Sequence, residues 1–264
     1  MKPLRDAMRR EAGRIWREKT RAQTLGLFLN EETITESTLL NLATGFHGRG
    51  LFVRLFTKAQ ERRNGADWEF WFVQGGRVVG LRVQAKRLFP TGAYNSLKPS
   101  GPQTTTLINN AGNCCAVYVF YNDAAAYPSS SPGCSCGEYR ARSYLGCTLA
   151  PATAVARAAS NSASSIEGRA IPWHCLLCES TAKNTSMPDV IKKSVNNHIA
   201  QSDSHRCEVV ETPRQFQPYT GPEVLQSPEL TKSDGYGEPE WLEAYLAERM
   251  LAGIALVGSA ENAE

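Results

Sequence analysis

The chain has no run approaching the ~20 consecutive apolar residues that a membrane-spanning helix needs. It also lacks the apolar stretch and cleavage site of a secretory signal, because its first residues are basic and broken by charge. Glu11 and Glu18 argue against an organellar transit segment, which is poor in acids. These absences predict a soluble, cytoplasmic protein with no membrane partner. Histidine is scarce at four residues, and none is placed with a serine or cysteine as in a nucleophilic triad. No internal repeat and no heptad is visible. The net charge is only +3, so the chain as a whole is no polycation.

What is present is ordinary for a folded protein: 264 residues, 42% hydrophobic and 21% charged. That length can bury a full core, as one elaborated domain or two small lobes. Charge is distributed unevenly. Residues 1–23 hold eight Lys/Arg against three acids, and residues 221–264 hold nine acids against two bases. This asymmetry suits a basic arm near a polyanion and an acidic tail in solvent, or simply two solvated helical faces. Eight cysteines in a reducing compartment are expected to be thiols or metal ligands rather than disulfides.

Hydrophobic spacing predicts a helix over 3–22, with Leu4, Met8, Ala12, Ile15 and Trp16 on one stripe. It predicts a second over 32–44, with Leu29, Glu32, Glu36, Leu39, Leu40 and Ala43 on one face. A carboxylate on an apolar face needs a polar partner. Strands are expected over 51–57, 67–73 and 78–86, the last two joined by Gln74-Gly75-Gly76-Arg77. Period-two alternation then puts Asp67, Glu69 and Trp71 on one side of the hairpin, with Arg82, Gln84 and Lys86 on the same side of its second arm. A helix over 103–111 and a buried strand over 115–121 follow, the strand parallel to a neighbour through the helical crossover. Helices are also expected over 149–159 and 189–200. Pro and Gly recur through 211–238, and a short helix over 240–250 is anchored by Trp241, Leu242 and Tyr245.

Gly65-Ala66-Asp67-Trp68-Glu69 followed by Val83-Gln84-Ala85-Lys86-Arg87 is the motif that carries chemistry. An Asp, a Gln and a Lys on adjacent strands can hold a divalent metal and activate a water beside a phosphodiester. The pattern resembles the PD-(D/E)XK nuclease superfamily, most closely the Mrr-type restriction endonucleases in which Gln replaces the acid of the second half-motif. The phrases GADWEFWF and QAKRL also resemble an uncharacterised prokaryotic family. The resemblance covers about residues 31–121 and implies an α/β fold with a restriction-endonuclease-like core: helix, three-stranded meander, helix, strand. It implies an organisation of 1–30 as basic helix, 31–122 as nuclease core, 123–210 as a Cys-containing, mostly helical elaboration and 211–264 as linker and acidic helix.

Residue by residue, the resemblance makes Asp67 the central metal carboxylate. Gln84 offers its side-chain oxygen and Ala85 its carbonyl. Lys86 orients or deprotonates the attacking water, and Glu36 is the helical acid, with Glu32 as its rival one turn earlier. Mg2+ or Mn2+ is the expected cofactor. Gln84 in place of an acid leaves the site one charge poorer, which Glu69 could restore. The implied activity is cleavage of DNA, with a role in defence against foreign DNA and a possible homodimer to cut both strands. The alternatives are a catalytically silent nucleic-acid-binding or scaffold protein and a zinc-stapled interaction module.

For zinc, Cys134, Cys136, Cys175 and Cys178 are the candidate ligands, with Cys147, Cys207, His174, His198 and His205 in reserve. Ordinary reduced cysteines are the competing expectation. Gln103 could reach the site or cap its helix. Arg82, Arg87 and Lys98 could contact a nucleic-acid backbone or be solvated charges. Trp68, Trp71, Trp173 and Trp241 are expected in the core.

Overall fold

Alternating apolar and polar residues over 68–87 build the centre of the molecule. The computed structural model describes residues 1–46, 51–53, 65–74, 76–128, 141–178, 185–200, 203, 206–211 and 254–258. The expectations concerning Cys134, Cys136, His205 and the helix over 240–250 lie outside those residues. The helices are α1 (Lys2–Thr24), α2 (Glu31–Phe46), α3 (Pro102–Asn109), α4 (Ala152–Ala156), α5 (Ala163–Ile166) and α6 (Met187–Asn196). The strands are β1 (Leu51–Val53), β2 (Trp68–Gln74), β3 (Arg77–Arg87), β4 (Cys114–Tyr121), β5 (Cys147–Pro151), β6 (Ile171–Pro172), β7 (Val210–Glu211) and β8 (Ile254–Gly258).

Among the described residues these strands form one mixed, mostly antiparallel sheet in the order β1-β8-β2-β3-β4-β5-β6, with β7 beside β3. The expected hairpin is there: β2 and β3 are antiparallel, with Trp68 opposite Val83 and Gln74 opposite Arg77. So is the crossover, since β4 runs parallel to β3 after α3, with Gln84 opposite Tyr118. The three-stranded meander is not. β8 lies between β1 and β2, antiparallel to the first and parallel to the second. A five-residue apolar segment reads the same in sequence whether it pairs with its neighbours or with a strand far away. Residues 123–210 also contribute to this sheet. The helix expected over 149–159 begins instead as β5, antiparallel to β4, and only Ala152–Ala156 is helical. The helix expected over 189–200 runs Met187–Asn196, with the Ser186 hydroxyl accepting from the Asp189 amide at its start.

Each sheet face carries its own core. Trp68, Phe70, Phe72, Leu81, Val83, Ala85, Val117 and Val119 pack with apolar residues of α1, α2, α6 and the turn Trp173–Leu177. The stripe expected on α1 is buried as read: Leu4, Met8, Ala12, Ile15 and Trp16. Opposite, Ala116, Tyr118 and Phe120 pack with Leu107, Tyr94 and Ile166. Part of α1's basic charge is used internally. Lys19 is buried, donating to the Leu88 carbonyl at 2.9 Å with Asp123 at 3.3 Å, and Arg14 pairs with Glu11 and Glu18. No described helix is long and apolar enough to cross a membrane.

Two cysteines depart from expectation. Cys115 of β4 and Cys207 form a disulfide across 92 residues, with Cα atoms 4.8 Å apart, a separation that bridging geometry accepts. Cys114, Cys147, Cys175 and Cys178 remain thiols.

Gly146 ends the 3₁₀ turn Arg142–Gly146 directly under α1. A Cβ there would stand 2.0 Å from the Ala12 carbonyl oxygen and 2.7 Å from the Trp16 nitrogen. Because both obstacles are helix backbone, Gly146→Ala must separate the 3₁₀ turn from α1. The expected loss is about 1–3 kcal/mol or more, read as a lower urea midpoint; an unchanged midpoint would refute this account of the α1 contact.

Candidate active site

The site begins at Gly65, whose φ of +72° favours glycine. Its missing side chain matters too, since a Cβ would lie 3.1 Å from the Leu107 nitrogen and 3.2 Å from the Gln103 oxygen. The chain therefore lies against the α3 backbone and enters β2 with the Asp67 amide donating to the Val83 carbonyl at 2.7 Å. In that position Asp67 Oδ2 accepts from Gln84 Nε2 at 2.7 Å and from the Ala85 amide at 2.6 Å. Gln84 Oε1 in turn accepts from Gln103 Nε2 at 2.9 Å. Asp67, Gln84 and Gln103 thus form one hydrogen-bonded line joining the hairpin to the first turn of α3. Gln103 reaches the site and Gln84 is buried, while Asp67 is half-buried.

Lys86 follows Gln84 on the same side of β3. It is buried, and its Nζ lies 3.6 Å from Glu31 Oε1. The other oxygen, Glu31 Oε2, accepts from the Arg87 amide at 2.8 Å. Burial raises the Glu31 carboxyl above its ordinary range, opposed by Lys86 and by the Arg87 amide. Arg87 donates to the Leu29 carbonyl and stacks on Phe89, its guanidinium 4.2 Å from the ring centroid. Tyr118, opposite Gln84 in register, shares a 2.8 Å hydrogen bond with Thr104. Burial pushes its phenol up to about 12, with the Asp67 charge adding to the shift.

The helical acid differs from the one expected. Glu36 and Glu32 are both exposed. The inward residues of α2 are Ile34, Thr35, Thr38, Leu39 and Leu42, whereas Leu40 is 65% exposed. The expected stripe was out of phase because Leu29 precedes the helix and Leu40 faces outward. Glu31, in the first turn, is the acid that meets Lys86. Periodicity had no means to single it out; its only signal was charge complementarity to Lys86-Arg87.

Glu69 is also reassigned. It is fully buried, accepting from Arg82 Nε at 2.8 Å and from Trp71 Nε1 at 2.9 Å. Arg82 is buried with it and also donates to the Asn110 carbonyl. Glu69 is therefore committed to a buried ion pair and cannot supply a missing metal charge. Arg82 is likewise unavailable to a nucleic-acid backbone, while Lys98 is exposed. Trp68, Trp71 and Trp173 are core residues, as expected.

The oxygen donors suit a hard divalent cation: the Asp67 carboxylate, the Gln84 amide oxygen, the Ala85 carbonyl and, across Lys86, the Glu31 carboxylate. Gln84 now turns its nitrogen toward Asp67 and its oxygen toward Gln103. An amide orients this way beside a bare carboxylate. A cation at Asp67 favours the reversed amide, and Gln103 can reverse with it, since its own amide offers both a donor and an acceptor. The residues therefore fit Mg2+ or Mn2+ only after the Gln84 and Gln103 amides both reverse.

Neither a curated protein nor a solved structure matches the chain. One family model matches residues 4–262, almost the entire length, including the hairpin, both flanking helices and β8. The chain belongs to DUF6615, a family of unknown function.

Proposed function

We propose that this protein is a metal-dependent endonuclease that hydrolyses phosphodiester bonds in DNA at the Asp67–Gln84–Lys86 site. The observation that carries the reading is the convergence of Asp67, at the entry to β2, with Gln84 of β3, and of Lys86 near the end of β3 with Glu31 at the start of α2. A divalent cation bound to these oxygens supplies a Lewis acid that acidifies a water and offsets charge on the phosphate. Asp67 is the anionic anchor of the site, and its orientation is fixed by the Ala85 amide. Lys86 orients the attacking water and balances charge on the scissile phosphate. Glu31 positions the Lys86 ammonium and provides a second carboxylate.

The restriction-endonuclease-like core belongs to this proposal, resting on the hairpin, the α3 crossover and the parallel β4. The defence role follows from the same resemblance. The test is nicking of supercoiled plasmid by the full chain with Mg2+ or Mn2+, and its loss in EDTA. Failure to cut with either ion overturns the enzymatic reading; DNA retention in a gel shift without cleavage would assign the fold to binding alone.

Glu31 gives a separate prediction. A carboxyl raised in the folded state favours folding while protonated, and that contribution is lost as pH rises through its folded pKa. Glu31→Gln should therefore compare more favourably with wild type at pH 7 than at pH 4 in thermal denaturation. Nicking should nevertheless fall. A variant that loses stability relative to wild type as pH rises would refute the electrostatic assignment.

A further inference from the structure

The turn Trp173–Leu177 is wedged between α1 and α6. Trp173 Nε1 donates to the Met8 carbonyl at 2.7 Å, and Ser194 Oγ of α6 donates to the Cys175 carbonyl at 3.3 Å. Cys178 Sγ closes the turn on the His174 carbonyl at 3.5 Å. Neighbouring helices therefore fix this backbone. On it, one donor atom each from His174, Cys175 and Cys178 lies within 4.8 Å of the others. His174 Nε2 and Cys175 Sγ are 3.8 Å apart. Tetrahedral zinc with its usual bond lengths needs donor separations of roughly 3.5–3.8 Å, so side-chain rotation suffices to close the set.

His174 supplies a second observation. It is fully buried, and its Nδ1 has no hydrogen-bond partner. A metal on Nε2, the nitrogen beside Cys175 Sγ, would leave this atom as it is, whereas coordination through Nδ1 after the ring turns over would satisfy it. A neutral imidazole keeps one ring nitrogen with a lone pair to donate. Cys178 is half-buried, which gives an ion a route of entry. Two thiols and an imidazole, with no carboxylate among them, select zinc over magnesium. Asp6 is engaged with Arg9.

We infer that His174, Cys175 and Cys178 bind one zinc ion that staples this turn, and through it α1 and α6, onto the sheet. Of the ligands expected from sequence, Cys175 and Cys178 are kept, and His174, held in reserve there, joins them; Cys134 and Cys136 lie outside the described residues. Three protein donors leave one tetrahedral position for a further ligand. The inference is independent of the nuclease reading.

The test is elemental analysis of the full chain purified without chelator, followed by exchange into Co2+. The expected result is about one zinc per chain and, with cobalt, near-ultraviolet thiolate charge transfer with tetrahedral d–d bands. Cys178→Ser should lose the metal and lower the melting temperature while its circular dichroism stays that of a folded chain. Asp67→Ala should keep the metal, separating this site from the hairpin. A folded wild-type chain that takes up neither ion overturns the inference. So does a Cys178→Ser variant with unchanged stoichiometry and spectrum, or a native Cys175–Cys178 disulfide in mass spectrometry. If Cys178→Ser does not fold, the wild-type cobalt spectrum decides alone, and absence of thiolate charge transfer overturns it.

Discussion

Asp67→Ala should abolish metal-dependent plasmid nicking while leaving the protein folded. The carboxylate is half-buried, and among its contacts are hydrogen bonds from Gln84 and Ala85. Hydrogen bonds to a charged group contribute about 1.5–3 kcal/mol each, so the variant should be measurably less stable yet still melt cooperatively. The carboxylate's chemical contribution is different in kind, since no other described acid touches Gln84 and Glu69 is occupied by Arg82. Asp67→Asn sharpens the comparison, because the amide oxygen still accepts a hydrogen bond but the charge is gone. If nicking depends on an anionic metal ligand, Asn fails nearly as badly as Ala. Lys86→Ala should lose on the order of 10²–10⁴-fold, the usual range for a group that handles the proton of the nucleophile. Wild-type nicking rates in Asp67→Ala and Lys86→Ala together would end the proposal, provided both melt cooperatively. Measuring DNA retention in parallel separates lost chemistry from lost binding.

Glu69→Ala carries the largest expected cost in stability. Glu69 and Arg82 are cross-strand partners, with side chains 0% and 2% exposed. Removing the acid strands a guanidinium in the core and frees the Trp71 indole N–H. Breaking a buried pair from one side costs about 3–5 kcal/mol, a large share of the ~5–15 kcal/mol that holds a typical domain together. Removing both charges is another matter. Glu69→Leu with Arg82→Met exchanges the ions for apolar volume, and such swaps are often neutral or stabilising. Urea denaturation of the two single variants and the double variant should show strong non-additivity. Additive losses would mean that the two residues act separately and that the pair does not organise this face. Partial opening of α3 is also expected in Arg82→Met, because Arg82 donates to the Asn110 carbonyl at that helix's end.

The hairpin was legible because alternation is a local property. Trp68, Phe70 and Phe72 must face one way if Asp67 and Glu69 face the other, and the two-residue turn fixes the register between arms. The same reasoning placed Gln84 beside Asp67. It failed at Glu69, where alternation gives the face but not the occupant. Arg82 stands directly opposite, and a buried carboxylate beside a buried guanidinium pairs with it. Helix α1 was readable for a related reason, its apolar stripe being long and uninterrupted. Helix α2 was not, because a helix with threonines facing inward and Leu40 outward has an ambiguous phase. Thr35, for example, is buried through its hydrogen bond to the Tyr121 hydroxyl at 2.9 Å, which no helical pattern encodes.

From the chain of letters alone come the β2–β3 hairpin, the α3 crossover to β4, the inward face of α1 and the meeting of Asp67 with Gln84. All of these are set by neighbours close in sequence or by strict periodicity. The folded structure decided that β8 enters the sheet between β1 and β2, that Glu31 rather than Glu36 reaches Lys86, that Cys115 joins Cys207, and that His174 stands with Cys175 and Cys178 between α1 and α6. Each of these depends on which distant segments pack together. That choice is governed by the burial and pairing of whole surfaces, and no single stretch of residues contains it.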